Sequence, residues 1–226
     1  MSEKTNNIFK LLKFERKETI HSAMIATIIA HDENYWNSFF DLLEERGKEK
    51  GFKVKALRDS INFSDNETHK WIDTENVLVK LKNKKNTDWG RADIWIGTNK
   101  GENEPGDKYR LIIENKIDAG FQYRQLRGYF RYLHEKPREF AGLFVLCVKA
   151  DEEFVKKAEV AAKHFDKESM WNEETQEVKT QYAIITYADI KDWLEKVIVN
   201  DTNDPKFNDI VKDYLSIVKL LCPKTL

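Results

Sequence analysis

Asp93, Glu114 and Lys116 are the residues of this sequence whose types and spacing are best suited to chemistry. Asp93 opens the apolar run Asp93-Ile94-Trp95-Ile96, and Glu114 and Lys116 close the run that starts at Leu111. Both runs are short, β-branched and flanked by glycines, which is typical of strands, and the polar segment 98–108 between them predicts an antiparallel pair. Two carboxylates and an ammonium brought together there can hold a divalent cation and place a positive charge beside it.

Alternation along the second strand decides which side chains can meet. Glu114 and Lys116 share the face of Ile112, whereas Asn115 points to the opposite face. The simpler alternative is an exposed strand end with an ordinary Glu–Lys pair. Burying a charge at the end of an apolar strand costs free energy unless the charge is paired or binds a metal. The pattern therefore favours a functional site.

The order of these motifs resembles that of the PD-(D/E)XK nuclease superfamily. The shared elements are Gly-Arg-x-Asp, a strand, a loop, a strand ending in Ile-Glu-Asn-Lys-Ile, and a helix with Gln-Leu-x-x-Tyr. The resemblance is dense from about Glu18 to Leu133 and weak beyond about Ala150. The matching residues are Gly90, Arg91, Asp93, Ile113, Glu114, Asn115, Lys116, Ile117, Gln125, Leu126 and Tyr129.

The order of predicted elements and the resemblance imply the same architecture. Helices, a three-strand meander, a helix and a further strand predict an α/β fold. Its expected form is a restriction-endonuclease-like mixed central sheet flanked by helices on both faces. We expect one nuclease-like domain over residues 1–226, with residues 151–226 as its divergent C-terminal extension.

The resemblance implies metal-dependent hydrolysis of phosphodiester bonds, in DNA rather than RNA. Asp93 and Glu114 are expected to bind Mg²⁺ with the Asn115 main-chain carbonyl as a further ligand, and Mn²⁺ should be able to substitute. Lys116 would orient or deprotonate the attacking water, or stabilise developing negative charge, and Gln125 would contact the water or a phosphate. Two alternatives stay open: a ribonuclease, and a module that binds nucleic acid or acts as a scaffold without cutting.

Glu18 and His21 lie on the apolar stripe of a helix predicted from Lys4 to His31. Three residues apart, they can share one ligand or pair with each other. In the family resembled, a Glu-x-x-His-Ser element on the first helix contributes to the metal site, and Glu18, His21 and Ser22 match it. We therefore expect Glu18 as a further metal ligand and His21 as a supporting residue.

A helix predicted from Ala119 to Glu135 should begin beside the site, because it leaves the strand of Glu114 directly. Gln122, Gln125 and Tyr129 fall on one of its faces, so Gln122 and Tyr129 are expected to support Gln125. The opposite side carries a stripe of arginines that either contacts phosphates or is simply solvated. This stripe consists of Arg124, Arg127 and Arg131.

Val77 to Lys85 is predicted as the first strand of the sheet. Its Lys80 and Lys82 are candidate phosphate contacts, as is Arg91, although lysines also protect the exposed edge of a sheet. Some members of the family carry an acid on this strand. Lysines in its place leave Glu18 as the third carboxylate and leave the number of metal ions open.

Composition limits the partners. The 226 residues contain 38 Lys and Arg against 39 Asp and Glu, a formal net charge of −1. Any nucleic-acid surface must therefore be local, and a homodimer or a separate recognition subunit could supply the rest. The two cysteines, Cys147 and Cys222, form no metal-binding pattern. Without a signal peptide or a long apolar run, the expected location is the cytoplasm, with no membrane contact.

Overall fold

The computed structural model describes residue 14 and residues 16–60, 69–77, 91–99, 109–122, 125–134, 140–162, 181–200 and 204–222. The strands are β1 His69–Val77, β2 Arg91–Asn99, β3 Tyr109–Lys116, β4 Phe140–Cys147 and β5 Ala183–Thr186. The helices are α1 Glu18–His31, α2 Glu33–Gly47, α3 Val54–Ser60, α4 Gln125–His134, α5 Glu152–Ala162, α6 Tyr187–Asn200 and α7 Pro205–Leu221.

The strands form one mixed sheet in the order β1-β2-β3-β4-β5. β1, β2 and β3 are antiparallel neighbours, as predicted for the meander. β4 runs parallel to β3, and β5 runs parallel to β4, with helices in the connections. β5 lies at the edge of this sheet, opposite β1.

Helices cover both faces of the sheet, which confirms the predicted fold class. One face packs Ile94, Ile113 and Leu146 against α1, α2, α6 and α7. The other packs Ile112 and Val145 against α4 and α5. β3 and β4 are apolar on both faces, as strands sandwiched between two helical layers must be.

The N-terminal helix begins at Glu18, so the prediction of one continuous helix from Lys4 is wrong at its N-terminal side. Phe14 to Lys17 forms a turn in which the Lys17 amide donates to the Phe14 carbonyl at 3.1 Å. Residues 4–13 lie outside the described residues. Asp32 caps the next helix: its Oδ1 accepts hydrogen bonds from the amides of Asn34 and Tyr35.

The first described strand is His69–Val77, and the prediction of a strand starting at Val77 missed it. Polar and charged residues make up most of this segment, and its only apolar residues besides the last, Val77, are the adjacent Trp71 and Ile72, so no period of two marks a strand that pairing with β2 stabilises. Residues 78–85, with Lys80 and Lys82, lie outside the described residues. Asp73 and Glu75 stand in β1, so the interpretation that the first strand lacks an acid is wrong.

The helix after β3 starts at Gln125, six residues later than predicted. The amides that would have opened a helix at residues 117–119 are instead bonded to a side chain of α1. Gln122 precedes the helix and its side chain is exposed. Of the described helices, not one combines the length and the apolar composition needed to cross a membrane.

Candidate active site

The site forms where β2 and β3 stop pairing. Their ladder runs from Gly97 opposite Arg110 to Ile94 opposite Ile113. Asp93 directly precedes Ile94 in β2, and its Oδ2 atom accepts a hydrogen bond from the Asn115 main-chain amide at 2.7 Å. Asp93 therefore lies against the Glu114–Lys116 segment, as the sequence predicted.

Glu114 and Lys116 form a buried ion pair on the α4 side of β3. Lys116 Nζ lies 2.6 Å from Glu114 Oε1, and only 1% of Glu114 and 7% of Lys116 is exposed. Gln125, at the start of α4, donates through Nε2 to Glu114 Oε1 at 2.7 Å and to the Tyr129 hydroxyl at 2.9 Å. The helical glutamine thus reaches the catalytic strand as expected.

Burial and charge shift the pKa values of this group in opposite directions. Desolvation raises the pKa of Glu114, although Lys116 and the Tyr129 hydroxyl oppose that rise. Desolvation lowers the pKa of Lys116, but the charge and the hydrogen bond of Glu114 outweigh it, so the net shift is upward. Burial, with the Glu114 charge, raises the pKa of Tyr129 far above its ordinary value. In this state Tyr129 is a neutral hydroxyl.

Asn115, on the opposite face of β3, is fully buried and bonded on both ends of its amide. Its Nδ2 donates to the Glu18 carbonyl at 3.1 Å and to Ser22 Oγ at 3.2 Å. Its Oδ1 accepts from the Tyr187 hydroxyl at 3.0 Å. One side chain thereby joins β3 to α1 and to α6.

The Glu18 carboxylate is bonded to the chain just after Lys116. Its Oε1 accepts from the amides of Ile117 at 2.6 Å and of Asp118 and Ala119 at 3.3 Å each. Asp118 in turn forms an exposed ion pair with Arg16, which holds the pKa of the Asp118 carboxyl below its usual range. The exit of β3 is therefore fixed from the α1 side.

His21 is buried among aromatic side chains of the C-terminal helices. Its Nδ1 lies 3.1 Å from the Tyr214 hydroxyl, and its ring meets that of Tyr187 edge-on at 5.3 Å. The Glu18 carboxylate is directed to the β3 amides. The direct Glu18–His21 hydrogen bond weighed from the sequence is thus not the arrangement that anchors Glu18 here.

The remaining predicted site residues divide into three groups. Gln122 is exposed and contributes its main-chain amide to Gln125 Oε1 at 3.2 Å, so its predicted place on the helix face beside Gln125 is wrong. Arg127 is only 7% exposed, so the solvated stripe is wrong at this position. No side-chain placement is described for Arg91, Arg124 and Arg131, nor any placement for Lys80 and Lys82, and their nucleic-acid contacts stay predictions.

The resemblance implies a hard divalent cation as cofactor, and such an ion prefers oxygen ligands. Within the described ranges, no group of three or more His, Cys, Asp or Glu side chains converges as a metal cluster. Glu114 Oε2, however, is buried and accepts no hydrogen bond from the described residues. A buried carboxylate oxygen without a donor needs a cation, and Asp93, whose charge acts on the neighbouring Lys116, supplies a second carboxylate. The residues fit a cation held by two acids and main-chain oxygen.

Comparison with protein families agrees with this geometry. A family model described as the PD-(D/E)XK nuclease superfamily matches residues 6–216. The chain belongs to that superfamily. The match extends well past Ala150, where the motif resemblance weakened. Searches of curated proteins and of solved structures returned no match.

Sequence reasoning missed three neighbours of the site. Tyr187 and Tyr214 lie far along the chain on amphipathic helices, where an aromatic residue is typical of core packing. Phe121 lies after β3, with its ring centroid 5.8 Å from Lys116 Nζ. A lone buried tyrosine in a helix gives no sequence signal for a hydroxyl directed at the catalytic strand.

Proposed function

We propose that this chain is a metal-dependent nuclease that hydrolyses phosphodiester bonds, with DNA rather than RNA as its principal substrate. The observation that carries the proposal is the buried Glu114–Lys116 pair with an unbonded Glu114 Oε2. A buried charge pair is a poor source of stability, since replacing it with apolar residues is often neutral. Together with membership of a nuclease family, it is better accounted for by catalysis.

Asp93 and Glu114 are the proposed Mg²⁺ ligands, with the Asn115 main-chain carbonyl as a third and Mn²⁺ as a substitute. When bound, the ion lowers the pKa of a water and neutralises charge that develops on the phosphate. Asp93 is already oriented by the Asn115 amide, and Glu114 Oε1 by Gln125 and Lys116. These contacts leave Glu114 Oε2 as the oxygen directed at a ligand.

Lys116 and Gln125 are the proposed groups that act on the reacting atoms. The Lys116 ammonium, held 2.6 Å from Oε1 of the proposed metal ligand Glu114, can orient the attacking water and stabilise negative charge on the phosphate. Gln125 Nε2 links Glu114 to the Tyr129 hydroxyl and can exchange one of these contacts for the water or a phosphate oxygen. Tyr129 supports Gln125.

Glu18 is proposed to fix the chain directly after β3, because its Oε1 accepts hydrogen bonds from the main-chain amides of residues 117–119. Direct ligation of the metal, expected from the motif, is the alternative role. Its charge acts on both Lys116 and Glu114, so it lies near enough to influence the site by either route. The two roles predict different results for the Gln and Ala variants, as described below.

We also infer that residues 1–226 form one nuclease domain. β5, α6 and α7 share a continuous core with α1 and β3, and α6 bonds to Asn115. In this interpretation the C-terminal residues complete the site instead of extending a finished domain. A homodimer or a recognition subunit remains a proposal for how a chain of net charge −1 selects its target.

The test is cleavage of linear duplex, circular duplex and single-stranded DNA and of RNA, with Mg²⁺, Mn²⁺ or EDTA. The expected result is metal-dependent cleavage of at least one DNA substrate, abolished by EDTA. A parallel preparation of the Asp93→Ala, Glu114→Ala double variant controls for contaminating nucleases. Cleavage of RNA alone would establish the ribonuclease alternative. Binding of DNA without cleavage under every metal condition would establish the non-cleaving module.

A further inference from the structure

Tyr187 reaches the catalytic strand from a helix that the motifs of the family resemblance do not include. It is the first residue of α6, fully buried, and its hydroxyl donates to Asn115 Oδ1 at 3.0 Å. Asn115 lies between Glu114 and Lys116 in β3, and its main-chain amide donates to the Asp93 carboxylate. The hydroxyl therefore bonds the side chain of the residue that lies between two proposed site residues in β3 and whose main chain binds a third.

The geometry points to Tyr187 as a positioning residue for the proposed reaction, acting through the Asn115 side chain. This inference rests on the proposed function. Asn115 has one side-chain acceptor, Oδ1, and Tyr187 donates to it. Its two Nδ2 protons go to the Glu18 carbonyl and Ser22 Oγ, at the start of α1. The orientation of the amide group is thus set by the Tyr187 donor on one side and two α1 acceptors on the other.

Loss of the hydroxyl should loosen both ends of this connection. A buried acceptor left without a donor costs more than a hydrogen bond exchanged with water, so the Asn115 amide group would reorient or admit water. Either change weakens its hold on the Glu18 carbonyl. The Glu18 side chain caps the amides of residues 117–119, so the strand end that carries Lys116 would become less fixed. Small displacements of catalytic groups reduce rates strongly.

Tyr214 provides a matched control. It is also a buried tyrosine of a C-terminal helix, and its ring lies 5.5 Å from that of His21, close to the 5.3 Å of Tyr187. Its hydroxyl lies 3.1 Å from His21 Nδ1 and 3.4 Å from the His21 carbonyl. Tyr187→Phe and Tyr214→Phe therefore remove the same group from the same aromatic cluster, and only the first removes a donor to Asn115.

The experiment compares the two variants with the wild-type chain by hydrogen–deuterium exchange and by cleavage. Exchange of the amides of residues 115–119 is measured without metal or DNA. Tyr187→Phe should exchange there about fivefold faster than Tyr214→Phe, because the bonds that protect those amides open more often. Cleavage at saturating Mg²⁺ and DNA should show kcat about tenfold lower for Tyr187→Phe, with little change in KM. Tyr214→Phe should retain the wild-type kcat.

The outcomes separate this inference from the proposed function. If the wild-type chain cleaves and the two variants match in exchange and in kcat, the positioning role is wrong. If the wild-type chain does not cleave, the proposed function fails, and exchange alone decides whether Tyr187 fixes the strand end.

A second pair of variants applies if Tyr187→Phe does not fold. Ser22→Ala and Thr27→Val each remove a hydroxyl bonded to the carbonyl four residues earlier in α1, and of the two only Ser22 contacts Asn115. Faster exchange at residues 115–119 in Ser22→Ala alone supports the connection. Equal exchange in both overturns it.

Discussion

The two faces of β3 carry buried polar side chains arranged in opposite ways. On the α4 face, Glu114 and Lys116 form an ion pair, and Glu114 Oε2 accepts no hydrogen bond from the part of the chain that the structure describes. On the α1 face, one residue away, each polar atom of the Asn115 amide is bonded. The side chains on the two faces are thus similarly buried but differ in how completely their polar atoms are hydrogen-bonded.

This difference in hydrogen bonding suggests different roles for the two faces of β3. A buried amide whose nitrogen and oxygen are both bonded within the protein fixes the elements that it joins. A buried carboxylate with an open oxygen is costly in the free protein and gains most when a cation arrives. Under the proposed function, the α1 face holds the strand in place, and the α4 face binds the metal and carries the reacting groups. Variants on the two faces should fail in different ways.

The largest effect is expected on the α4 face. Asp93→Ala and Glu114→Ala should each lower the cleavage rate by about 10³-fold or more, because each removes a ligand whose loss displaces the metal. Circular dichroism should show a folded protein in both cases. Asp192→Ala, at a 70% exposed carboxylate, is the matched control and should cleave normally. Activity near the wild-type rate in either ligand variant would place the metal elsewhere.

Lys116→Ala should lower the rate on the order of 10²-fold while leaving metal binding intact. The ammonium stabilises charge and orients water, whereas the oxygens that hold the metal belong to other residues. Calorimetric titration with Mg²⁺ measures the binding, and single-turnover cleavage measures the rate. Removal of a cation beside Glu114 should, if anything, favour binding of Mg²⁺. An unchanged rate would make Lys116 only a structural partner of Glu114.

Glu18 offers a test of the α1 face that separates capping from ligation. Glu18→Gln keeps an oxygen that can accept from the amides of residues 117–119, and Glu18→Ala does not. Capping predicts that the Gln variant stays within about threefold of the wild-type rate while the Ala variant falls about tenfold and unfolds at a lower temperature. Direct ligation predicts equal losses for both variants, with partial recovery in excess Mn²⁺.

The smallest expected effect concerns the arginines near α4. The buried Arg127 should not contact DNA phosphates, so Arg127→Ala should lower thermal stability and leave the salt dependence of DNA binding unchanged. If Arg124 and Arg131 contact phosphates, replacing both should flatten the slope of log affinity against log salt by roughly 0.9 per contact. Fluorescence anisotropy at several salt concentrations measures the slope. A flatter slope for Arg127→Ala would contradict its burial.

Sequence alone predicted the α4 face better than the α1 face. Asp93, Glu114, Lys116 and Gln125 follow from strand alternation and from a dense local motif, and they lie together as expected. Asn115 was expected to contribute only its main chain. Its side-chain partner Tyr187 lies 72 residues away, and pairing over that distance leaves no periodic or compositional trace.

The errors in element boundaries have a similar cause. β1 pairs with β2 along its length, although its own sequence is mostly polar and lacks apolar alternation. The late start of α4 is explained by Glu18 of α1, whose carboxylate accepts hydrogen bonds from the amides of residues 117–119. In both cases a contact between residues distant in sequence accompanies the boundary that the local sequence did not predict.

The most direct test of the central claim is a crystal structure of the wild-type chain with Mn²⁺, with the metal located by anomalous scattering. The account predicts a peak about 2.1 Å from Glu114 Oε2, with Asp93 and the Asn115 carbonyl as further ligands. Tyr187, Asn115 and Glu18 should keep their contacts, since the α1 face holds the strand in both states. A peak away from Glu114, or none at saturating Mn²⁺, would contradict the account.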